Sequence, residues 1–182
     1  MNKVAILLGS ASDKHIIDHS IEYYEYFGVD VEVHVMSAHR NPDKVADFAQ
    51  NARKNGYKIL IGGAGMAAHL AGALKANSVL PVIGLPLPGG LQDGLDSLMS
   101  TVQMPKGVPV ATMCVGKAGA INAAILCAEI FALSDTDILD KLLADGMDVQ
   151  KRDINMPFGP IKELSEKNIA TISLHPEVQV TI

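Results

Sequence analysis

The sequence has no tryptophan, four tyrosines and four phenylalanines, which leaves few platforms on which nucleobases could stack. Its basic residues never gather. Fifteen Lys and Arg stand against 20 Asp and Glu, for a net charge of -5, whereas a protein that grips nucleic acid carries a basic stripe, so no nucleic-acid partner is expected. Long apolar runs are also missing. The stretch Val4 to Leu8 near the N-terminus is too short for a signal segment or a membrane span, and the expectation is a cytoplasmic protein with no membrane attachment. Only two cysteines occur, Cys114 and Cys127, both in apolar stretches; they read as buried free thiols in a reducing compartment. No pair of histidines has convincing metal-ligand spacing and the two cysteines are thirteen apart, so no metal site is expected.

What remains suits a packed core. Hydrophobic residues make up 48% of the 182 and charged residues 19%, the balance of one folded domain. Apolar runs at 3–8, 31–36, 57–61, 80–85 and 108–115 predict strands. Helical patterns lie between them. Ile17, Ile21 and Tyr24 share one face of a first helix that Gly28 ends. Val45, Phe48, Ala49 and Ala52 share a face of a second, with Asn41 as cap and Pro42 at its first position. A tight glycine turn at 62–65 leads to a third helix that runs to about residue 77. A Pro- and Gly-rich loop at 86–94, too irregular for core, precedes a short fourth helix at 95–101. The fifth, 118–133, is apolar on nearly every side, which demands cover from more than one direction and points to another subunit. A sixth spans 136–144.

Five strands alternating with helices predict an α/β fold, a doubly wound three-layer sandwich with a five-stranded parallel sheet core. The catalytic domain is expected over residues 1–145. Residues 146–182 lose clean periodicity and are expected to form a C-terminal extension that contacts other subunits or stays flexible. Ligands of such sheets bind beyond the carboxyl ends of the strands, where loops 9–13, 37–41 and 62–69 should meet.

Those loops carry the polar chemistry. Gly9-Ser10-Ala11-Ser12-Asp13 offers backbone N–H groups and two hydroxyls at a helix start, the parts of a phosphate cradle; a helix cap with spare serines is the plainer reading. It lacks the Gly-Lys-Ser/Thr ending of a Walker loop and the three glycines of a dinucleotide fingerprint. Asp13 would repel phosphate and suits sugar hydroxyls better. No Gly-x-Ser-x-Gly elbow occurs, so Ser10 and Ser12 read as binders and not as nucleophiles. His39 and Arg40 follow the second strand: Arg40 can fork onto a phosphate or carboxylate, and His39 can give and take a proton near neutrality. A loop histidine beside a surface arginine, neither with a function, is the alternative. His69 opens the third helix, where the dipole disfavours imidazolium, and a neutral ring that touches substrate or closes the loop is expected. Gly63, Ala64 and Gly65 bring backbone amides within reach of a carboxylate, while Met66 reads as packing. His34, alternating within the second strand, reads as a satisfied sheet histidine. Together these residues predict an enzyme acting on a small phosphorylated substrate.

The motifs also resemble, in order, those of the class I PurE family, the bacterial-type N5-carboxyaminoimidazole ribonucleotide mutases of purine biosynthesis. Gly9-Ser10-Ala11-Ser12-Asp13 is similar to that family's first signature and Ser37-Ala38-His39-Arg40 to its second. Ala67-Ala68-His69-Leu70 resembles the third, and Asp96-Ser97-Leu98 with Val102-Gln103-Met104-Pro105 a fourth. The likeness runs from about residue 4 to 145. Leu70-Ala71-Gly72 stands where Leu-Pro-Gly is common, Met66 replaces a more typical glycine, and residues 85–90 differ from the usual loop.

The resemblance implies flavodoxin-like subunits in a homo-octamer and an isomerase with no cofactor and no metal. Its substrate would be a small phosphorylated nucleotide whose carboxyl group moves from an exocyclic nitrogen to ring carbon 4. It implies His39 as proton carrier, with Ser10, Ser12, Asp13, Ser37 and Arg40 around the ribose phosphate. Gly65 and His69 would surround the migrating carboxyl group. Gly9, Ala38, Gly63, Ala64 and Leu70 complete the implied substrate-binding set. Direct carboxylation of free aminoimidazole ribonucleotide by carbon dioxide is the alternative reaction; its class II enzymes typically have Lys where Arg40 stands and lack the Ala-Ala-His-Leu signature. A phosphate-ligand-binding regulatory module is the non-enzyme alternative.

Overall fold

The apolar run near the N-terminus becomes an inner strand, β1 (Lys3–Leu8), whose residues Val4 to Leu8 are at most 2% exposed. It pairs in parallel with β2 (Asp30–Val35) on one side and β3 (Ile59–Ala64) on the other. The sheet continues through β4 (Val82–Pro86) to β5 (Ala111–Thr112), giving the order β2-β1-β3-β4-β5 with every neighbouring pair parallel. Parallel neighbours need crossovers, and helices supply them: α1 (Lys14–Phe27), α2 (Pro42–Asn51), α3 (Leu70–Ala76), α4 (Leu95–Val102) and α5 (Lys117–Ala132). A last helix, α6, covers Thr136–Ala144. This is the doubly wound sandwich expected from the alternation of runs, in the flavodoxin-like form that the PurE resemblance implies. The computed structural model describes residues 2–144. The described fold forms one compact unit through Ile138, and the extension expected at 146–182 lies outside the described residues.

Alternation along each strand assigns the two faces. Ala5 and Leu7 join Leu60, Val45, Ala49, Ala71 and Leu74 in one core layer beneath α2 and α3. On the opposite face Leu8 and Leu85 flank Gly63, and Leu85 also meets α5 at Gly119. There α5 lies against α1. Each large aliphatic side chain so buried contributes about 1.5–3 kcal/mol relative to exposure. The Tyr24 hydroxyl faces the Cys127 thiol inside this layer, and burial pushes the thiol up to about 12.

Several element boundaries differ from the sequence reading. β3 runs through Gly62 and Gly63 to Ala64 instead of ending at residue 61. The glycines serve the close packing of α3: a Cβ on Gly62 would lie 2.7 Å from the Ala71 Cα and 2.8 Å from its nitrogen. β5 has two residues instead of eight. Pro109 has no donor for the ladder, and beyond Thr112 the pairing slips: Met113 donates to Gly84 and Gly116 to Pro86, placing one extra residue on the outer strand. Helix α2 starts at Pro42 as expected, yet Asn41 makes no side-chain capping bond. The loop after β4 is partly core, since Leu87 is buried. Cys127 is buried but Cys114 is exposed; it lies past the short β5, where the strand no longer alternates into the core.

His34 is satisfied on the edge strand β2, as expected. Its Nε2 lies 3.2 Å from the Tyr57 hydroxyl and 3.4 Å from Glu32, and its ring packs on Phe48. Tyr57 donates its hydroxyl hydrogen to Glu32, and Lys3 reaches the same carboxylate at 2.7 Å.

Candidate active site

The strand order reverses between β1 and β3, and the crevice beyond their carboxyl ends is where such sheets hold ligands. A cleft of about 390 Å³ opens there. Four loops wall it. The three expected contribute Gly9, Ser10, Ser12 and Asp13; Ser37, Ala38 and His39; and Ala64, Gly65, His69 and Leu70. The fourth, after β4, adds Pro88, Gly89 and Gly90, and the β3 loop adds Met66 and Ala67. The signal for that fourth wall was the glycine-rich segment itself, placed at the carboxyl end of the strand beside β3.

Each wall has a local cause. Ser10 is extended, with φ -144° and ψ 150°, and its Oγ accepts from the Ser12 amide at 3.3 Å and the Ser12 hydroxyl at 2.8 Å. The 3-10 turn Ala11–Asp13 that follows leads into α1. This knits the two serines into a polar turn at a helix start, where backbone N–H groups are short of partners. Asp13 makes no capping bond of its own, and its Oδ1 lies 3.2 Å from the Ser12 hydroxyl oxygen as an alternative acceptor to Ser10. In the second loop Ser37 anchors the chain from both ends: its carbonyl accepts from the Asn41 amide and its Oγ from the Arg40 amide.

Two expected residues stand apart from the cleft. The Arg40 side chain turns to the first loop, where Nη2 donates to the Gly9 carbonyl at 3.1 Å; it braces the serine turn and does not line the cleft. Gly63 is inside the sheet, its carbonyl accepting from Gly9 and its α-hydrogen side closed by Leu8. Met66 was read as packing and is instead 66% exposed, at φ 55°. That left-handed backbone favours glycine, the residue the PurE resemblance places there.

The two loop histidines meet. His39 Nε2 lies 2.8 Å from His69 Nδ1, with the rings 84° from coplanar. His69 stands at the N-cap of α3 and makes no capping bond with its side chain. The fourth loop is pinned by carboxylates: Asp93 accepts from the Gly89 amide at 2.9 Å and Asp96 from the Leu91 amide at 3.0 Å. Gly90 has φ 68°, and a Cβ there would collide with Asp96. The cleft therefore offers a proton-transfer pair, a hydroxyl and amide cradle, and one wall of bare backbone. No described helix is long and apolar enough to cross a membrane.

Comparison with known proteins gives concordant matches. The AIR carboxylase family model matches residues 3–152. The N5-carboxyaminoimidazole ribonucleotide mutase of Escherichia coli K12 is 47% identical over 140 residues, 77% of this chain and 83% of the relative. The Bacillus subtilis enzyme of the same name is 48% identical over 139 residues, 76% and 86% of the two chains. Among solved structures, Treponema denticola PurE superposes with a TM-score of 0.75 at 26% identity, covering 92% of this chain and 99% of that one. A second family model, ribosomal protein L9, C-terminal domain, matches residues 132–182, most of which lie outside the described residues.

Proposed function

We infer the function from one premise: this chain belongs to the AIR carboxylase family. The chain is an isomerase of purine biosynthesis that moves a carboxyl group from the exocyclic nitrogen of N5-carboxyaminoimidazole ribonucleotide to ring carbon 4. The observation that carries this reading to the residues is the placement of His39 in the same cleft as the serine turn and against His69.

The substrate's phosphate and ribose would be held by the Gly9–Asp13 turn and Ser37, with Arg40 acting through the Gly9 carbonyl it braces. Asp13 suits a sugar hydroxyl, since its charge repels phosphate. Held there, the carbamate releases carbon dioxide as its nitrogen takes a proton, leaving an electron-rich ring carbon within reach of the gas. Retention makes recapture effectively intramolecular. His39 supplies the proton to the nitrogen and later removes the one on carbon 4. Gly65, Ala64, His69 and Leu70, with the backbone wall Pro88–Gly90, surround the carboxyl group and limit its escape. In the same reading the chain works as a homo-octamer, with no nucleic acid as partner, a reading supported by its acidic balance.

Two measurements test this. Turnover of the N5-carboxylated substrate at low bicarbonate should exceed carboxylation of the unsubstituted ribonucleotide at high bicarbonate; the opposite preference makes the chain a direct carboxylase. His39→Asn should bind the nucleotide within about tenfold of the unaltered chain and lose ~10²-fold or more in turnover. Near-normal turnover removes His39 from the chemistry.

A further inference from the structure

Among the described residues, three that are not glycine have a left-handed backbone: Met66 at φ 55°, Gln92 at 46° and Asp93 at 52°. Of these, Met66 lines the cleft. A side chain in that conformation costs stability, and such strain gathers where function requires it. The neighbours of Met66 impose it. On one side a Cβ on Gly65 would lie 3.4 Å from the Pro88 carbonyl oxygen, so the chain passes flush against the fourth loop. On the other the His69 amide donates to the Ala67 carbonyl at 2.9 Å and closes a tight turn. Packing does not account for the side chain held there. Leu70, the other long aliphatic side chain lining the cleft, is 2% exposed, whereas Met66 is 66% exposed and gains little from burial.

The reaction supplies a use for an apolar group at that opening. When the bond from the exocyclic nitrogen to the carboxyl carbon breaks, its electron pair stays on nitrogen, which takes a proton. Until the electron pair of ring carbon 4 forms the new bond, the transferring group is free carbon dioxide, small and uncharged. The serine turn can hold a phosphate but offers this gas no barrier. A thioether on three rotatable bonds can fold over a bound aromatic ring, to which sulfur is attracted. We propose that Met66 is a specificity-determining residue of the carboxyl transfer: its side chain covers the cleft opening over the bound aminoimidazole, so that carbon dioxide is recaptured at carbon 4 and does not exchange with the bulk. The inference rests on the carboxyl-transfer reading and adds to it the part of the site that decides between capture and loss.

The transferred carbon can be followed directly. Substrate labelled with carbon-13 in its N5-carboxyl group is converted in a single turnover, with protein in excess and in unlabelled bicarbonate, and mass spectrometry divides the label between product and bulk. The unaltered chain should keep most of it in product. Met66→Gly should raise the share lost to the bulk about fourfold or more, the factor that one methylene withdrawn from apolar contact is worth. Its urea midpoint should not fall, since glycine relieves the strained φ. Met66→Leu restores an apolar side chain of similar volume and should bring the loss back to within about twofold of the unaltered chain. A Gly variant that keeps the label as well as the unaltered chain overturns the proposal, as does a Leu variant that leaks like the Gly variant. Label lost together with a lowered midpoint marks damage to the fold and overturns it too. An unaltered chain that makes no product from the carboxylated substrate sinks the carboxyl-transfer reading and this proposal with it, whereas a converting chain whose Gly variant keeps the label sinks this proposal alone.

Discussion

Glu32 shows how far a single side chain depends on its neighbours. The Lys3 ammonium and then the Tyr57 hydroxyl hold its carboxyl below the ordinary value of 4.5, while burial and then Glu32 itself push the Tyr57 phenol upward. A carboxyl lowered in the folded state contributes stability that is fully present above its unfolded value. That contribution fades as pH falls from about 4.5 through the lowered value. Being a surface cluster, it is a small contribution. Glu32→Gln should therefore lower Tm at pH 7 by more than it does in acid below pH 4.5, read by circular dichroism melts in both ranges. A deficit unchanged by acid would rule this account out. At the same scale, the cleft residues were legible wherever loop position alone decides: Ser10, Ser12, His39 and His69 follow from strands ending at one sheet edge. Met66 was misread because a φ of 55° leaves no mark in a pattern of polar and apolar residues, and the bond from Arg40 to the Gly9 carbonyl is equally invisible there.

Among the elements, β3 departs most instructively from its propensity. Glycine weakens strands, so Gly62-Gly63 reads as a turn, but the close approach of α3 over Gly62 leaves room for no side chain. Contact between layers overrides the local preference. Gly62→Ala should destabilise the fold by about 1–3 kcal/mol, because the crowding atoms are Ala71 backbone and cannot swing aside. The urea midpoint measures it, and an unshifted midpoint would mean that α3 retreats at no cost. The short β5 has a similar lesson: its run of Val108 to Val115 has the composition of a strand, and the missing donor of Pro109 together with the extra residue past Thr112 cuts it to two. By contrast α2 and α6 were plain in the sequence, each having a single apolar face and a defined start.

For the whole molecule, alternating runs predict a parallel, doubly wound sheet with its cleft beyond the carboxyl ends of the strands, while the order β2-β1-β3-β4-β5 is visible only in the fold. Assembly is a different matter. Half of α5 packs inward through Ala120, Ala123, Ala124 and Cys127, whereas Ile121, Ile125, Leu126 and Ile130 are only half-buried and Leu133 is 87% exposed. Such a remainder supports the octamer proposed for this chain. Sedimentation equilibrium should give eight times the 19.3 kDa of one chain, and Ile125→Glu should lower that mass; a monomer in the unaltered protein would refute the assembly.

The unequal surroundings of the two sulfurs have a consequence of their own. Alkylating reagents that need thiolate meet Cys114 at the open end of the fold, while Cys127, sealed beside Tyr24 with its proton held to about pH 12, is out of reach until α5 lifts from α1. Modification of the inner sulfur is thus a natural clock for the breathing of that helical layer, ticking once for each opening wide enough to admit solvent.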